Sequence, residues 1–393
     1  MKKKLGILCT HPIQYYSPLF RHLTNIKSLD LTVYYCFKPT GKEQGRGFGV
    51  EFQWDKDLLE GYKYVWLKNI AKSQNSSSFN GCDTPEIANI ISREKFDAFL
   101  VHGWMNKSMW QAMGACWKTK TMLLVKGDSH LHVHVPWLKR KIKNLIYPLF
   151  VKRFDTCLAM GRWSEEYFMH YGAKRVIKTP HSIDNKWFRQ EAEKYKSRKK
   201  NIRKTWGMPE ESIVYLFAGK MEEKKRPLDG LKALKKLIED HGKEIKAHML
   251  MVGDGILRQQ CEAFVKKCDL PVTLIGFLNQ SEMPKAYAAS DILILPSDGR
   301  ETWGLVVNEA MACGLPAIVS DQVGCGPDLI MQGKTGFVFP IGDISNLSET
   351  MYDAVTRYAC VELGRASQEQ ISNYSIEKTA HAILEAVGAK LGK

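Results

Sequence analysis

DILILPSDGRETWGLVVNEAMACG, residues 291–314, carries both a fold signature and a chemical one. The apolar run Ile292–Pro296 reads as a short buried strand, a polar turn follows, and the apolar periodicity beyond Thr302 reads as a helix. A strand handed through a short turn to a helix is the repeating step of a parallel α/β sheet. Thr302 stands where a side chain can cap that helix, and the backbone N–H groups of Trp303, Gly304, Leu305 and Val306 then face outward, as in helix starts that bind phosphate. Gly304 removes a side chain where the main chain must come close to a ligand. Glu301 and Glu309 bracket the turn. Eight helical residues span about 12 Å at roughly 1.5 Å each, too far for one shared proton or metal ion. The spacing suits two ends of an extended ligand, with carboxylates accepting from sugar hydroxyls. The plainer alternative is a helix-start glutamate that complements the dipole, followed by an exposed helix residue.

Working outward, the same step recurs. Strand candidates in the first half are Leu5–Thr10, Leu31–Phe37, Tyr64–Leu67, Ala98–Trp104, Met122–Val125, Cys157–Met160 and Val176–Thr179. In the second half they are Ile213–Ala218, His248–Val252, Val272–Ile275, Ile292–Pro296, Ala317–Ser320 and Phe337–Phe339. Near-continuous apolar strands between helical patterns indicate parallel sheets buried on both faces. Two series predict two Rossmann-like, doubly wound α/β domains over 1–185 and 205–375, joined by a basic linker over 186–204. A cleft bounded by the carboxyl ends of two such sheets is the expected ligand position.

A chain of 393 residues is long enough for two cores, and 44% hydrophobic with 25% charged residues is a globular composition. No run reaches the ~18 apolar residues of a membrane span. The basic tip and short apolar run of MKKKLGILCT lead straight into a helical pattern, so a first strand is expected there rather than a secretory signal. Ten scattered cysteines with no CxxC pair sit mostly in apolar runs, which fits a reducing, cytoplasmic setting. The 57 basic against 42 acidic residues give +15. That excess allows nucleic acid, a phosphate-bearing substrate or an anionic membrane surface as partner. In Trp137–Tyr147 basic and apolar residues interleave as on an amphipathic surface helix, with peripheral docking at the inner membrane face and a merely solvated helix as the two readings.

The neighbours of residues 291–314 give them a family context. The segment resembles the glutamate-x7-glutamate motif of glycosyltransferase family 4, retaining enzymes of the GT-B fold. Phe217–Pro227 is similar to the first strand-loop-helix of that family's donor domain, where a cation after the glycine and a lysine five residues later neutralise the diphosphate. Here these are Gly219, Lys220 and Lys225, with Lys where Arg is more usual and Arg226-Pro227 in place of Lys-Gly. Met251–Gly255, with Gly253 and Asp254, matches the next strand-loop. Ile275-Gly276-Phe277-Leu278 matches the strand end that supplies backbone contacts to the base, and Ser320–Gly324 through Gly333–Gly336 match later turns. The likeness covers nearly all of Ile213–Phe339 in order.

The resemblance implies a nucleotide-diphosphate-sugar donor held by the C-terminal domain, with Glu309 on the ribose and Glu301 on the transferred sugar. It implies a saccharide or lipid-linked acceptor on the N-terminal domain, a last helix over about 376–393 packed back on that domain, front-face displacement, and no cofactor. Cleaving a sugar–diphosphate bond develops negative charge, which two cations and helix-start amides stabilise. An Asp-x-Asp metal motif at a strand end is the usual alternative. Asp55-Lys56-Asp57 has no suitable strand beside it, so Lys220 and Lys225 are expected in the metal's place.

The first half is less legible. Thr10–Leu19 resembles the start of a bacterial family 4 subset, including surface-polysaccharide enzymes, that carries a His-Pro-Ile-Gln turn. His11 and Gln14 are candidates for contact with sugar or acceptor, the alternative being a turn shaped by Pro12 and Pro18 with His11 a structural hydrogen bonder. In Lys126-Gly127-Asp128-Ser129, Asp128 stands where relatives often have histidine near the reacting carbon, a position to orient the acceptor hydroxyl or take its proton. His102 is a weaker rival. His130, His132 and His134 would share one face of a strand, without a carboxylate or cysteine set to complete a metal shell. Pro180–Asp184 resembles the family's crossover turn. The competing readings are a nucleotide-sugar epimerase, a phosphorylase, and a non-catalytic basic scaffold on lipid or nucleic acid. No nucleic-acid module is visible, so nucleic acid is not an expected partner.

Overall fold

The computed structural model describes residues 2–242 and 244–389. It divides into two compact units. The first comprises Met1–Glu43, Asp57–Ser182 and Ser375–Lys393, the second Gln44–Lys56 and Ile183–Tyr374.

The first unit holds seven strands: β1 (Lys3–Cys9), β2 (Leu29–Tyr35), β3 (Tyr64–Trp66), β4 (Ala98–His102), β5 (Met122–Gly127), β6 (Thr156–Ala159) and β7 (Val176–Lys178). They form one parallel sheet in the order β3-β2-β1-β4-β5-β6-β7. Alternate side chains feed two cores. Leu5 and Ile7 enter the core shared with the helix Ser17–Thr24 and the last helix, while Leu8 and Val101 enter the core shared with the helix Lys107–Thr119. The last helix, Ile376–Val387, therefore belongs to the first unit: its Ala380, Ile383, Leu384 and Val387 pack with Leu19, Leu23 and Leu100. Residues 390–393 of the expected terminal segment lie outside the described residues.

The second unit repeats the plan with β8 (Ile213–Ala218), β9 (Ala247–Val252), β10 (Val272–Gly276), β11 (Ile292–Leu295), β12 (Ala317–Ser320) and β13 (Gly336–Phe339). They run parallel in the order β10-β9-β8-β11-β12-β13. In both units the strand order reverses beside the first strand, and the carboxyl ends at that point form the usual ligand crevice of a doubly wound sheet.

Two stretches differ from the sequence expectation. The basic segment expected as a linker is helical over Asn185–Lys196 and Lys199–Thr205, because Phe188, Ala192 and Ile202 give it an apolar side that is buried in the second unit. Its Arg203 is buried as well, donating to the Ala289, Glu210 and Ser212 carbonyls and to Asp291. Gln44–Lys56, between β2 and β3 in sequence, packs with the second unit instead of the first.

Candidate active site

The carboxyl end of the second sheet is held together by main chain. The Gly219 N–H after β8 donates to the Val252 carbonyl (2.9 Å), and the Gly253 N–H after β9 donates to the Gly276 carbonyl at the end of β10 (2.7 Å). The Asp298 N–H after β11 donates to the Lys224 carbonyl (2.8 Å), and the Gly324 and Cys325 N–H groups after β12 donate to the Glu301 and Trp303 carbonyls, each at 3.0 Å. Five loops are thus fixed to one another without a side chain. Gly253 is indispensable to this: at φ 124° its Cβ would lie 2.0 Å from the Gly219 oxygen.

The turn after β11 departs from expectation at its helix. The helix spans Leu305–Ala312, and Gly304, in the left-handed region at φ 97°, is its N-terminal cap. Thr302 does not cap it, since a right-handed helix cannot pass through that glycine conformation. The amides of Leu305 and Val306 therefore lie in the helix's first turn, where N–H groups have no intrahelical acceptor, while Trp303 and Gly304 precede it. The Trp303 indole N–H donates to Asn308 (2.8 Å) in the interior, so this side chain anchors the turn. Glu301 lies in the loop, four residues before the helix, so a helical rise does not set its distance from Glu309.

Charged groups gather over this frame. Lys225 and Glu301 form an ion pair. The Lys220 ammonium donates to the Arg46 carbonyl (2.7 Å). Burial lowers the Lys220 pKa, and the nearby positive charges of Lys224, Lys225 and Arg46 add to the shift. Lys220 and Lys225 thus form one basic cluster. Glu309 is only 6% exposed and accepts from the Tyr287 hydroxyl. Asp254 accepts from the Gly255 N–H (2.7 Å) and pairs with Arg258 (2.9 Å), while Phe277 and Leu278 follow β10, half-buried.

At the corresponding end of the first sheet the polar groups are side chains. Asp128 follows β5 directly. Lys126, on β5, is only 2% exposed and is the register partner of His102 on β4. Its ammonium lies 5.7 Å from the Tyr16 ring, which packs 4.5 Å from His102 and 6.2 Å from His181. Burial brings the Lys126 pKa down to about 8, with Cys9 and Asp128 opposing the shift. Burial, reinforced by Lys126, holds His102 neutral with a pKa near 3. Neither His102 ring nitrogen has a hydrogen-bond partner among the described residues. His11 contacts Thr10 through Nδ1 (2.9 Å) and lies 5.4 Å from the Phe37 ring, and burial lowers its pKa to about 4. Gln14 is half-buried in the turn before the helix Ser17–Thr24. Sequence reasoning missed Lys126, Tyr16 and His181. A lysine inside the apolar run LLVKG was the available signal for the first of them.

The histidines 130, 132 and 134 lie in a loop and not on a strand, with the His130 and His132 rings 5.1 and 4.2 Å from Trp163. No group of three metal-ligating side chains occurs among the described residues. Asp184 caps the helix Asn185–Lys196, accepting from the Trp187 N–H (3.0 Å).

Against known proteins, residues 198–378 match the family described as "Glycosyl transferases group 1". The chain is 32% identical over 188 residues to a sulfoquinovosyl transferase of Arabidopsis thaliana, covering 46% of this chain and 34% of that protein. It is 30% identical over 148 residues to an N-acetyl-alpha-D-glucosaminyl L-malate synthase of Bacillus anthracis, covering 38% of this chain and 37% of that protein. The chain thus spans little more than a third of the length of these two curated relatives. Among solved structures, a Rickettsia africae glycosyltransferase superposes with a TM-score of 0.73 at 16% identity, covering 98% of both chains. Anabaena HepE in complex with UDP superposes with a TM-score of 0.70 at 15% identity, covering 99% of this chain and all of the other. The group 1 glycosyltransferase match falls on the second unit, and the fold of the chain is GT-B.

Proposed function

We propose that this chain transfers a sugar, with retention of anomeric configuration, from a nucleotide-diphosphate-sugar to an acceptor hydroxyl. One observation carries the reading: Lys220, Lys225 and Glu301 stand on loops joined at one end of the second sheet, beside the helix Leu305–Ala312 that carries the buried Glu309. Lys220, Lys225 and the first-turn amides hold the diphosphate and stabilise its developing charge, in the place a divalent ion takes in other transferases. Glu309 accepts from the ribose hydroxyls, Glu301 from the transferred sugar, and the loop at Phe277 and Leu278 borders the base. The C1–O bond to the diphosphate breaks as the acceptor oxygen reaches C1 from the same face, and the acceptor proton passes to the leaving phosphate oxygen.

In this reading the first unit binds the acceptor, a saccharide or lipid-linked saccharide of surface glycan or glycolipid synthesis, with Asp128 orienting its hydroxyl. Curated relatives named as a sulfoquinovosyl transferase and a phosphatidylinositol dimannoside mannosyltransferase support a glycolipid setting. No described helix is long and apolar enough to cross a membrane. The helix Trp137–Val151 instead carries Leu138, Ile142, Leu145 and Leu149 exposed along one stripe, flanked by Lys139 and Lys141. Such a face suits peripheral docking on anionic lipid at the cytoplasmic side.

Thermal-shift screening of UDP-, GDP-, dTDP- and ADP-sugars tests the donor reading: one class is expected to raise the melting temperature. NMR of the product anomer in the presence of a chelator tests retention and metal independence. A donor-only incubation that yields an epimerised nucleotide sugar would replace transfer by epimerisation.

A further inference from the structure

The segment Gln44–Lys56 leaves the first unit after Glu43 and returns to it at Asp57, and between those points it packs on the second. Its contacts fall where the donor reading places the nucleotide. Arg46 gives its carbonyl to the Lys220 ammonium, and Phe48 has its ring 5.0 Å from that same ammonium. From Phe52 to Lys56 alternate residues turn inward, as in an extended strand: Phe52, Trp54 and Lys56 are half-buried, Gln53 and Asp55 exposed. The Phe52 ring lies 4.2 Å from Phe277, and Phe48 lies 5.0 Å from Phe277. The far end is pinned by polar bonds: Asn279 donates to the Gln53 carbonyl (2.8 Å), and the Ser281 N–H donates to Asp55 (3.1 Å). The near end is pinned by the Trp54 N–H donating to Gln44 (3.3 Å).

A segment that only filled space would have no reason to seat two aromatic rings against Phe277 after β10 and an arginine beside Lys220 after β8. Three half-buried rings offer apolar faces on which a purine or pyrimidine stacks, and a guanidinium beside Lys220 adds positive charge for phosphate oxygens. We infer that the strap Gln44–Lys56 is part of the nucleotide site, with Phe48, Phe52 and Phe277 forming the wall against which the base lies and Arg46 adding a cation for the diphosphate. This rests on the donor reading above and assigns base recognition to residues of the first half of the chain, which the group 1 match does not cover.

Calorimetric titration of the full-length protein with UDP, GDP, ADP, dTDP and inorganic pyrophosphate tests it. Phe52→Ala is expected to weaken the preferred nucleoside diphosphate about tenfold, as loss of one base–aromatic stack does. It should leave pyrophosphate affinity unchanged, which also shows that the variant is folded. Phe52→Tyr, which keeps the ring, should restore nucleotide affinity, and Arg46→Ala should weaken nucleotide and pyrophosphate alike. Unchanged or tighter nucleotide binding by Phe52→Ala, with Lys225→Ala still weakening it, overturns the strap assignment and leaves the donor reading standing. No binding of any nucleoside diphosphate by the wild type overturns both.

Discussion

At the ligand end of the second sheet the loops are bonded amide to carbonyl, so the frame exists before any side chain is chosen. At the corresponding end of the first sheet the main chain is bonded too, the Gly103 N–H to the Lys126 carbonyl (2.9 Å) and the Thr179 N–H to the Ala159 carbonyl (2.7 Å), but side chains fill the crevice: Tyr16, His102, Lys126 and His181 pack on one another, and a buried lysine and neutral histidines supply the polarity. A main-chain frame asks only for glycine at a few points and tolerates drift elsewhere. A cluster of packed side chains changes shape with each substitution. The family match covers 198–378, whereas the solved structures superpose over nearly the whole chain.

That contrast is open to attack at four points. The largest effect is expected from Glu309→Ala, which should reduce kcat/KM about a thousandfold, or ~4 kcal/mol, without lowering the melting temperature. Near wild-type turnover would strip the second unit's mouth of its ribose contact. Next, Gly253→Ala should destabilise the protein by about 3 kcal/mol, because the new methyl meets the Gly219 carbonyl at a backbone angle L-residues avoid. Denaturant unfolding with an unchanged midpoint would show that the loops are not held main chain to main chain.

Lys126→Met sharpens the comparison from the other side. In the folded state the ammonium titrates near 8, against an ordinary 10.5, so the native protein binds fewer protons than the unfolded one between those values. Wild-type stability from this group therefore rises with pH through that window, and the penalty is greatest below pH 8. The Met variant should be more stable at pH 7 by up to about 3 kcal/mol, with the advantage fading between pH 8 and 10.5. Loss of transfer in this more stable variant would mark Lys126 as a working residue of the first unit. The smallest effect is expected from Leu145→Ser, which removes a side chain 75% exposed on the amphipathic helix. Binding to phosphatidylglycerol vesicles should fall about tenfold, equivalent to ~1.4 kcal/mol, while turnover of a soluble acceptor analogue stays constant.

All thirteen strands were readable because each is a compact apolar run, and their ends moved by no more than a few residues. The residues proposed for the site of the second unit stand out in the sequence because they follow immediately after those strands. What escaped depends on tertiary packing. Nothing local distinguishes a glycine that caps a helix at positive φ from one inside it, so the sequence pattern alone puts the helix start near Thr302 and not at Gly304. Residues 186–204 read as a linker because their charges outnumber their few apolar residues, and only the spacing of Phe188 and Ala192 hints at a helix. The strap at Gln44–Lys56 could not be assigned, since sequence order puts it in one unit and its aromatic rings put it in the other.

The placement of Ile376–Val387 in the core of the first unit has a consequence for biogenesis. Strands β1 to β7 emerge from the ribosome early, but the surface that Leu19, Leu23 and Leu100 present to this helix stays uncovered until the entire second unit has been translated. The earlier unit is thus the later one to finish. A nascent chain stalled before Ile376 would display a sticky apolar face to chaperones while its second unit was already folded.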